Sequence, residues 1–281
     1  MKKISRRGFM KSALAMTAMP LVATADITLN QNSLKFIHVT DSHMDLSDAN
    51  SVEAMELMTA FINENYKDLD FVLFGGDNFN NNVKGDSDAM KFKEITDRLH
   101  CPALLVRGNK ESSPKPKDGI NLNDFQNIFL AKDWLSVSGK DWLFEKNGYN
   151  ILGLDSCVEN GNNGLYTKET IAFAKRTLDS KKPTLILNHH PYTNYWGCTK
   201  KEDLHKYVLN NTAEVQKELF SYSNLILTLS GHKHIDSLKE IKGTKVIVTR
   251  GFIRPLDLDM YPMRYVEING TEISEKLIYT S

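Results

Sequence analysis

Five short apolar runs each stop at a residue able to bind a metal ion, and this restricts the fold more than any other feature of the chain. Residues 34–40 run into Asp41 and His43, residues 70–74 into Gly75-Gly76-Asp77, and residues 103–107 into Gly108-Asn109. Residues 184–188 run into His189, and residues 224–229 into Gly231-His232 and His234. Apolar runs of this length read as buried strands. Helical spacing of apolar residues over 49–67, 89–99, 168–180 and 212–222 lies between or beside them. Strands alternating with helices predict an α/β fold with a largely parallel sheet, in which loops at the C-terminal strand ends converge on one edge.

The rest of the chain has a different rhythm. Residues 141–145 and 149–154 flank Lys146-Asn147-Gly148, a hairpin signal. Residues 237–241, 245–249, 261–268 and 273–279 read as successive strands, expected to form a second, mixed sheet packed on the first. Residues 112–121 are rich in Pro, Lys and Ser and read as an exposed loop. No repeat or composition break divides the chain, so residues 26–281 are expected to be a single domain.

The formal net charge of zero hides an asymmetry. The first 25 residues carry Lys2, Lys3, Arg6, Arg7 and Lys11 and no acid, which leaves 30 basic against 35 acidic residues elsewhere. A mildly acidic body gives no electrostatic ground for nucleic-acid or membrane binding. Ser5-Arg6-Arg7-Gly8-Phe9-Met10-Lys11, the small apolar run 12–22 and Ala23-Thr24-Ala25 resemble a twin-arginine signal peptide. That resemblance implies a bacterial protein exported to the periplasm or beyond, with residues 1–25 removed and no membrane attachment afterwards. Cys101, Cys157 and Cys198 form no C-x-x-C pair, which argues against a zinc ribbon or a redox motif.

The strand-end residues have a common chemistry. Five of the eight histidines (His43, His189, His190, His232 and His234) lie in these blocks, a concentration that packing does not explain. In Asp41-x-His43 and His232-x-His234, residues two apart in extended backbone point the same way, so both members reach one site. Carboxylate and imidazole together suit zinc, iron or manganese. A carboxylate such as Asp77 can bridge two ions, and an Asn amide oxygen is a weak, neutral ligand. Two adjacent ions can hold a phosphate oxygen, activate a water and stabilise an in-line displacement.

Asp41-Ser42-His43, Gly76-Asp77, Gly108-Asn109, His189-His190-Pro191 and Gly231-His232-Lys233-His234 together resemble the calcineurin-like metallophosphoesterase superfamily, in the family's order. The resemblance implies a four-layer, two-sheet β-sandwich flanked by helices. It implies two metal ions (Mn, Fe or Zn): Asp41, His43, Asp77 and His234 would hold one, and Asp77, Asn109, His189 and His232 the other. It implies hydrolysis of a small phosphate ester, a diester or a monoester, with a metal-bound hydroxide as nucleophile. Family precedent offers a cyclic nucleotide or a glycerophosphodiester as substrate. The rival expectations are a non-catalytic metal and phosphate binder, and a pyrophosphohydrolase of a nucleotide-linked substrate.

One position departs from the family pattern. The family usually has Gly-Asn-His followed by an acid, whereas here Gly108-Asn109 is followed by Lys110 and Glu111. The family's His protonates the leaving group or stabilises phosphoryl charge; Lys110 supplies positive charge and a hydrogen bond there and is the candidate catalytic residue. In related pyrophosphohydrolases an Arg stands at this place. Asn78 is a candidate substrate contact or a loop cap. His190 is a candidate substrate contact, a hydrogen-bond donor behind the ligands or a packed loop residue. His38 is expected in the core, and His100 and His205 on the surface. Tyr192, Tyr195 and Trp196 are placed either to stack on a nucleobase or to pack on themselves. Arg254 either contacts a phosphate or pairs with Asp257.

Overall fold

The computed structural model describes residues 33–113, 119–194, 199–253 and 260–280. The expected export segment lies outside the described residues, as do Tyr195, Trp196, Cys198, Arg254 and Asp257.

Twelve described strands form two sheets. β1 (Ser33–Val39), β2 (Phe71–Phe74) and β3 (Ala103–Leu105) are parallel neighbours in the first. The second contains β4 (Ser136–Ser138), β5 (Asp141–Lys146), β6 (Tyr149–Gly153), β7 (Thr184–Leu187), β8 (Leu225–Ser230), β9 (Ser237–Ile241) and β10 (Thr244–Val248). Its order is β4-β5-β6-β7-β8-β10-β9, with β6, β7, β8 and β10 parallel. The expected hairpin joins β5 to β6, with Asn147 at φ 49° and Gly148 at φ 78°, the left-handed pair that a two-residue turn requires.

The last two strands correct an expectation. β11 (Tyr261–Asn269) and β12 (Glu272–Thr280) do not extend the second sheet; they return to the first, giving β12-β11-β1-β2-β3. β1 is almost wholly buried and needs a partner on its free edge, which β11 supplies antiparallel from Ser33↔Asn269 to His38↔Arg264.

Alternation along the strands explains the layers. Phe71 meets Phe144 of the other sheet at 5.9 Å, while Phe74, three residues on, meets Phe92 of a covering helix at 5.3 Å. Leu185, Leu187 and Ile247 join the core between the sheets, whereas Ile186 and Val246 face a second cluster under the helices. Helices α1 (Ala49–Asn65) and α2 (Ser87–Thr96) cover the first sheet. Short helices α3 (Asn109–Ser112) and α4 (Leu122–Phe125) follow β3. Helices α5 (Lys168–Leu178) and α6 (Thr212–Glu218) pack on the second sheet through Ala174, Leu178, Val215 and Leu219. The result is the expected α/β sandwich of two sheets between helical layers. Trp142 also joins the sheets, donating its ring N–H to the Leu105 carbonyl at 2.7 Å.

The segment 112–121 is only partly an exposed loop: Ser112 and Ile120 are buried at its ends, and residues 114–118 lie outside the described set. Among the described residues, no helix is long and apolar enough to cross a membrane.

Candidate metal centre

Asp41 and His43 follow β1, Asp77 follows β2, Asn109 opens α3 after β3, His189 follows β7, and His232 and His234 follow β8. The packed sheets bring these strand ends to one place. The Gly231 N–H donates to the His189 carbonyl at 3.1 Å, and the His232 N–H donates to Asp41 Oδ2 at 2.8 Å.

The turns that carry the side chains are strained. Asp41 (φ 56°), His43 (45°), Asp77 (49°), His232 (70°) and His234 (58°) all adopt left-handed backbone, so these pairs do not converge through extended backbone as the sequence suggests. Each such residue costs roughly 1–2 kcal/mol, and strain of this kind concentrates at functional sites. Gly76, at φ 90°, has no substitute here, since a Cβ would lie 2.7 Å from His189 Nδ1.

The donor atoms form two groups joined by Asp77. In the first, His43 Nε2 lies 3.2 Å from His234 Nε2, His234 Nε2 lies 3.2 Å from Asp41 Oδ1, and His43 Nε2 lies 3.7 Å from Asp77 Oδ2. In the second, His189 Nε2 lies 3.0 Å from His232 Nδ1, 3.2 Å from Asn109 Oδ1 and 3.6 Å from Asp77 Oδ1. Ligands bound at their usual lengths to one ion stand about 3–3.6 Å apart along the edges of a tetrahedron or octahedron, and these separations match. Asp77 directs one oxygen to each group.

The imidazole protons support the same assignment. His189 Nδ1–H donates to the Gly75 carbonyl at 2.9 Å, and His232 Nε2–H donates to the Lys206 carbonyl at 2.7 Å. His43 Nδ1–H donates to Asn80 Oδ1 at 3.0 Å, and Asn80 in turn donates to Asp45 Oδ2 at 2.9 Å. Each bond leaves the inward nitrogen as a bare lone pair. His189 Nε2 and His232 Nδ1 then face each other as two acceptors at 3.0 Å, an arrangement that calls for a cation between them. Asp41 Oδ1 is buried and makes no hydrogen bond among the described residues. The residues present therefore fit a pair of metal ions.

Electrostatics agree. Burial alone would raise Asp41, but neighbouring His234, His189 and His43 hold it well below the usual carboxylate range. Burial lowers His43, and burial with His189 lowers His232 to about 4, so both remain neutral at pH 7, as ligation requires.

The other candidates occupy different places. Lys110 lines an open cleft over the donor groups, together with Asn162, Lys206, Tyr207 and Lys233, and its backbone N–H donates to Asp77 Oδ1 at 2.7 Å. Asn78 is fully buried beneath the site, donating from Nδ2 to the Val106 carbonyl at 3.0 Å. His190 is also buried: Nδ1 pairs with Ser156 Oγ at 2.8 Å and Nε2 with the Asn162 carbonyl at 3.2 Å. His38 is buried, and His100 and His205 are exposed. Tyr192 does not line the cleft; it is buried, with its hydroxyl 2.7 Å from that of Tyr166.

Several residues take roles that the sequence pattern does not assign. Glu111 accepts backbone N–H groups from Asp77 (3.1 Å), Asn78 (2.6 Å), Phe79 (3.2 Å) and Gly108 (2.7 Å), fastening two ligand turns together. Glu111 is the acid two residues past Asn109 in the motif, whereas Asn80 and Asn162 stand in no such pattern. Lys233 lies 3.4 Å over the Tyr207 ring and donates to Thr199 Oγ1 at 2.9 Å.

Comparison with known proteins adds to this geometry. A family model described as calcineurin-like phosphoesterase matches residues 34–236. The chain is 22% identical over 230 residues to the 3′,5′-cyclic adenosine monophosphate phosphodiesterase CpdA of Haemophilus influenzae, covering 77% of this chain and 75% of that one. It is 24% identical over 227 residues to a probable cyclic nucleotide phosphodiesterase of Fibrobacter succinogenes, covering 79% and 80%. Among solved structures, a dimetal phosphatase from Danio rerio aligns with a TM-score of 0.62 at 12% identity, covering 88% of this chain and 99% of that one.

Proposed function

We propose a reaction from one premise: the chain belongs to the calcineurin-like phosphoesterase family. It is a metallophosphoesterase, a hydrolase of phosphate esters that works with divalent metal ions. Within that activity, our reading is a phosphodiesterase whose metal ligands are Asp41, His43, Asp77, Asn109, His189, His232 and His234. The observation that carries it is the sharing of Asp77 between two donor groups, Oδ2 toward His43 and Oδ1 toward His189. The names of the two relatives point to a cyclic nucleotide as the substrate to test first.

When bound, the metal pair supplies Lewis-acid polarisation of the phosphoryl group and acidifies a water for attack. The chain's residues do the rest. Asp77 holds both donor groups in register, and the Lys110 N–H fixes its Oδ1. The Lys110 side chain, at the cleft, places a positive charge where the phosphoryl oxygens gain negative charge. Lys206, whose ammonium pairs with Asp203 at 2.8 Å, and Lys233 also line the cleft. We further propose export by the twin-arginine route, on the strength of Arg6-Arg7 and Ala23-Thr24-Ala25. A protein carrying Arg6→Lys and Arg7→Lys together would then stay in the cytoplasm.

The test of activity is hydrolysis of bis-p-nitrophenyl phosphate, p-nitrophenyl phosphate and 3′,5′-cyclic AMP by manganese-loaded protein, beside Asp77→Ala. Turnover of the two diesters above the monoester, lost in the variant, is expected. No turnover of any ester by protein with bound manganese would refute the reading and favour a non-catalytic binder.

A further inference from the structure

We propose that Asn162 is a positioning residue that holds the Asn109 amide with its oxygen turned toward His189 and His232. The inference rests on the metal reading above. A carboxylate ligand presents two equivalent oxygens, but an amide presents one acceptor and one donor, and a flip exchanges them. Asn109 is therefore the ligand of the set that needs its orientation fixed from outside. Its Oδ1 lies 3.2 Å from His189 Nε2, and its Nδ2 donates to Asn162 Oδ1 at 3.4 Å. The Asn162 side chain is exposed, and with its Oδ1 toward Asn109 as it stands, a flipped Asn109 amide would set two oxygens against each other and aim an NH₂ group at the place a cation needs.

Asn162 can serve because its loop is fastened to both flanks of Asn109. On one side, Arg107 donates from Nε to Asp155 Oδ2 and from a terminal nitrogen to Glu159 Oε1, both at 2.7 Å. On the other, the Asn160 N–H donates to the Ser112 carbonyl at 2.9 Å, and Ser113 Oγ donates to the Gly161 carbonyl at 3.2 Å. His190 completes the brace. Its Nε2–H donates to the Asn162 carbonyl, so its Nδ1 accepts from the Ser156 hydroxyl. Both ring nitrogens are then committed, and His190, although its ring centroid is 4.5 Å from that of His232, has no lone pair to offer a metal. It acts on the second donor group through Asn162.

The test is calorimetric titration of metal-free protein with Mn²⁺, for wild type, Asn162→Ala and Asn162→Asp, alongside the melting temperature of each metal-free protein. Asn162→Asp keeps an accepting oxygen opposite the Asn109 amide, and Asn162→Ala does not. Loss of a residue that orients a ligand typically weakens a site by tenfold or more, so Asn162→Ala should bind the second Mn²⁺ roughly tenfold more weakly with the first unchanged. Asn162→Asp should bind both as wild type does, and all three metal-free proteins should melt together. Wild-type affinity for the second Mn²⁺ in Asn162→Ala would overturn the proposal. So would equal losses of metal and of melting temperature in both variants, which would mark a structural brace. Failure of the wild type itself to bind a second Mn²⁺ would instead refute the metal reading beneath it.

Discussion

Replacing Glu111 by Gln changes one atom's chemistry at the point where four backbone N–H groups meet. Oε1 accepts from Asn78 and Phe79, and Oε2 accepts from Asp77 and Gly108. Gln keeps one oxygen, enough for one pair, and sets an NH₂ group against the other. The residue is 1% exposed, so water does not replace the lost acceptor. Each orphaned buried donor costs about 1–3 kcal/mol, which for two of them, with some relaxation, gives roughly 2–5 kcal/mol. For a domain of this size, each kcal/mol moves Tm by roughly 2–4 °C. Urea denaturation of the metal-free variant should therefore show a lower midpoint with the same slope as wild type, because the surface exposed on unfolding is unchanged. Bound manganese should fall as well, since the Asp77 turn loses its clamp. A stability loss under about 1 kcal/mol with full metal content would refute the reasoning, since a buried unsatisfied donor costs at least that much.

Two further outcomes follow from the same geometry. Lys110→Ala should lower kcat on bis-p-nitrophenyl phosphate by roughly 100-fold while leaving bound metal intact, the scale of losing one charge-stabilising donor; loss of metal would mean the residue is structural. Burial pushes the Asp141 carboxyl up to about 7 from 3.8, against the pull of the Thr170 hydroxyl. The folded chain therefore keeps a proton that the unfolded chain releases across that window, and stability falls as pH rises from 3.8 toward 7. Asp141→Asn, which keeps an acceptor for the Asp155 N–H, should reduce that slope by up to about 1.4 kcal/mol per pH unit in denaturation series at pH 5 and 6.5; an unchanged slope would refute it.

What the sequence disclosed follows from residue chemistry. Strands such as 71–74 are buried on both faces and so consist of apolar residues throughout, and a ligand must be Asp, Asn or His wherever the backbone takes it. Conformation was not legible. The Asp41-x-His43 and His232-x-His234 pairs suggest extended backbone, but the chain enters left-handed turns there, and nothing in the residue types announces it. The two last strands have patterns that suit either sheet, and the bare edge of β1 decides between them. Glu111 reaches Asp77, Asn78 and Phe79 from 32 to 34 residues away, and Asn162 reaches Asn109 from 53, distances no local pattern spans.

A site in which Asp77 would hold two metal ions fixes a stoichiometry. Elemental analysis of protein saturated with manganese and freed of excess by gel filtration measures it directly. Two manganese ions per wild-type chain and fewer than two in Asp77→Ala are expected. One ion or none in the wild type, or two retained without Asp77, would contradict that site.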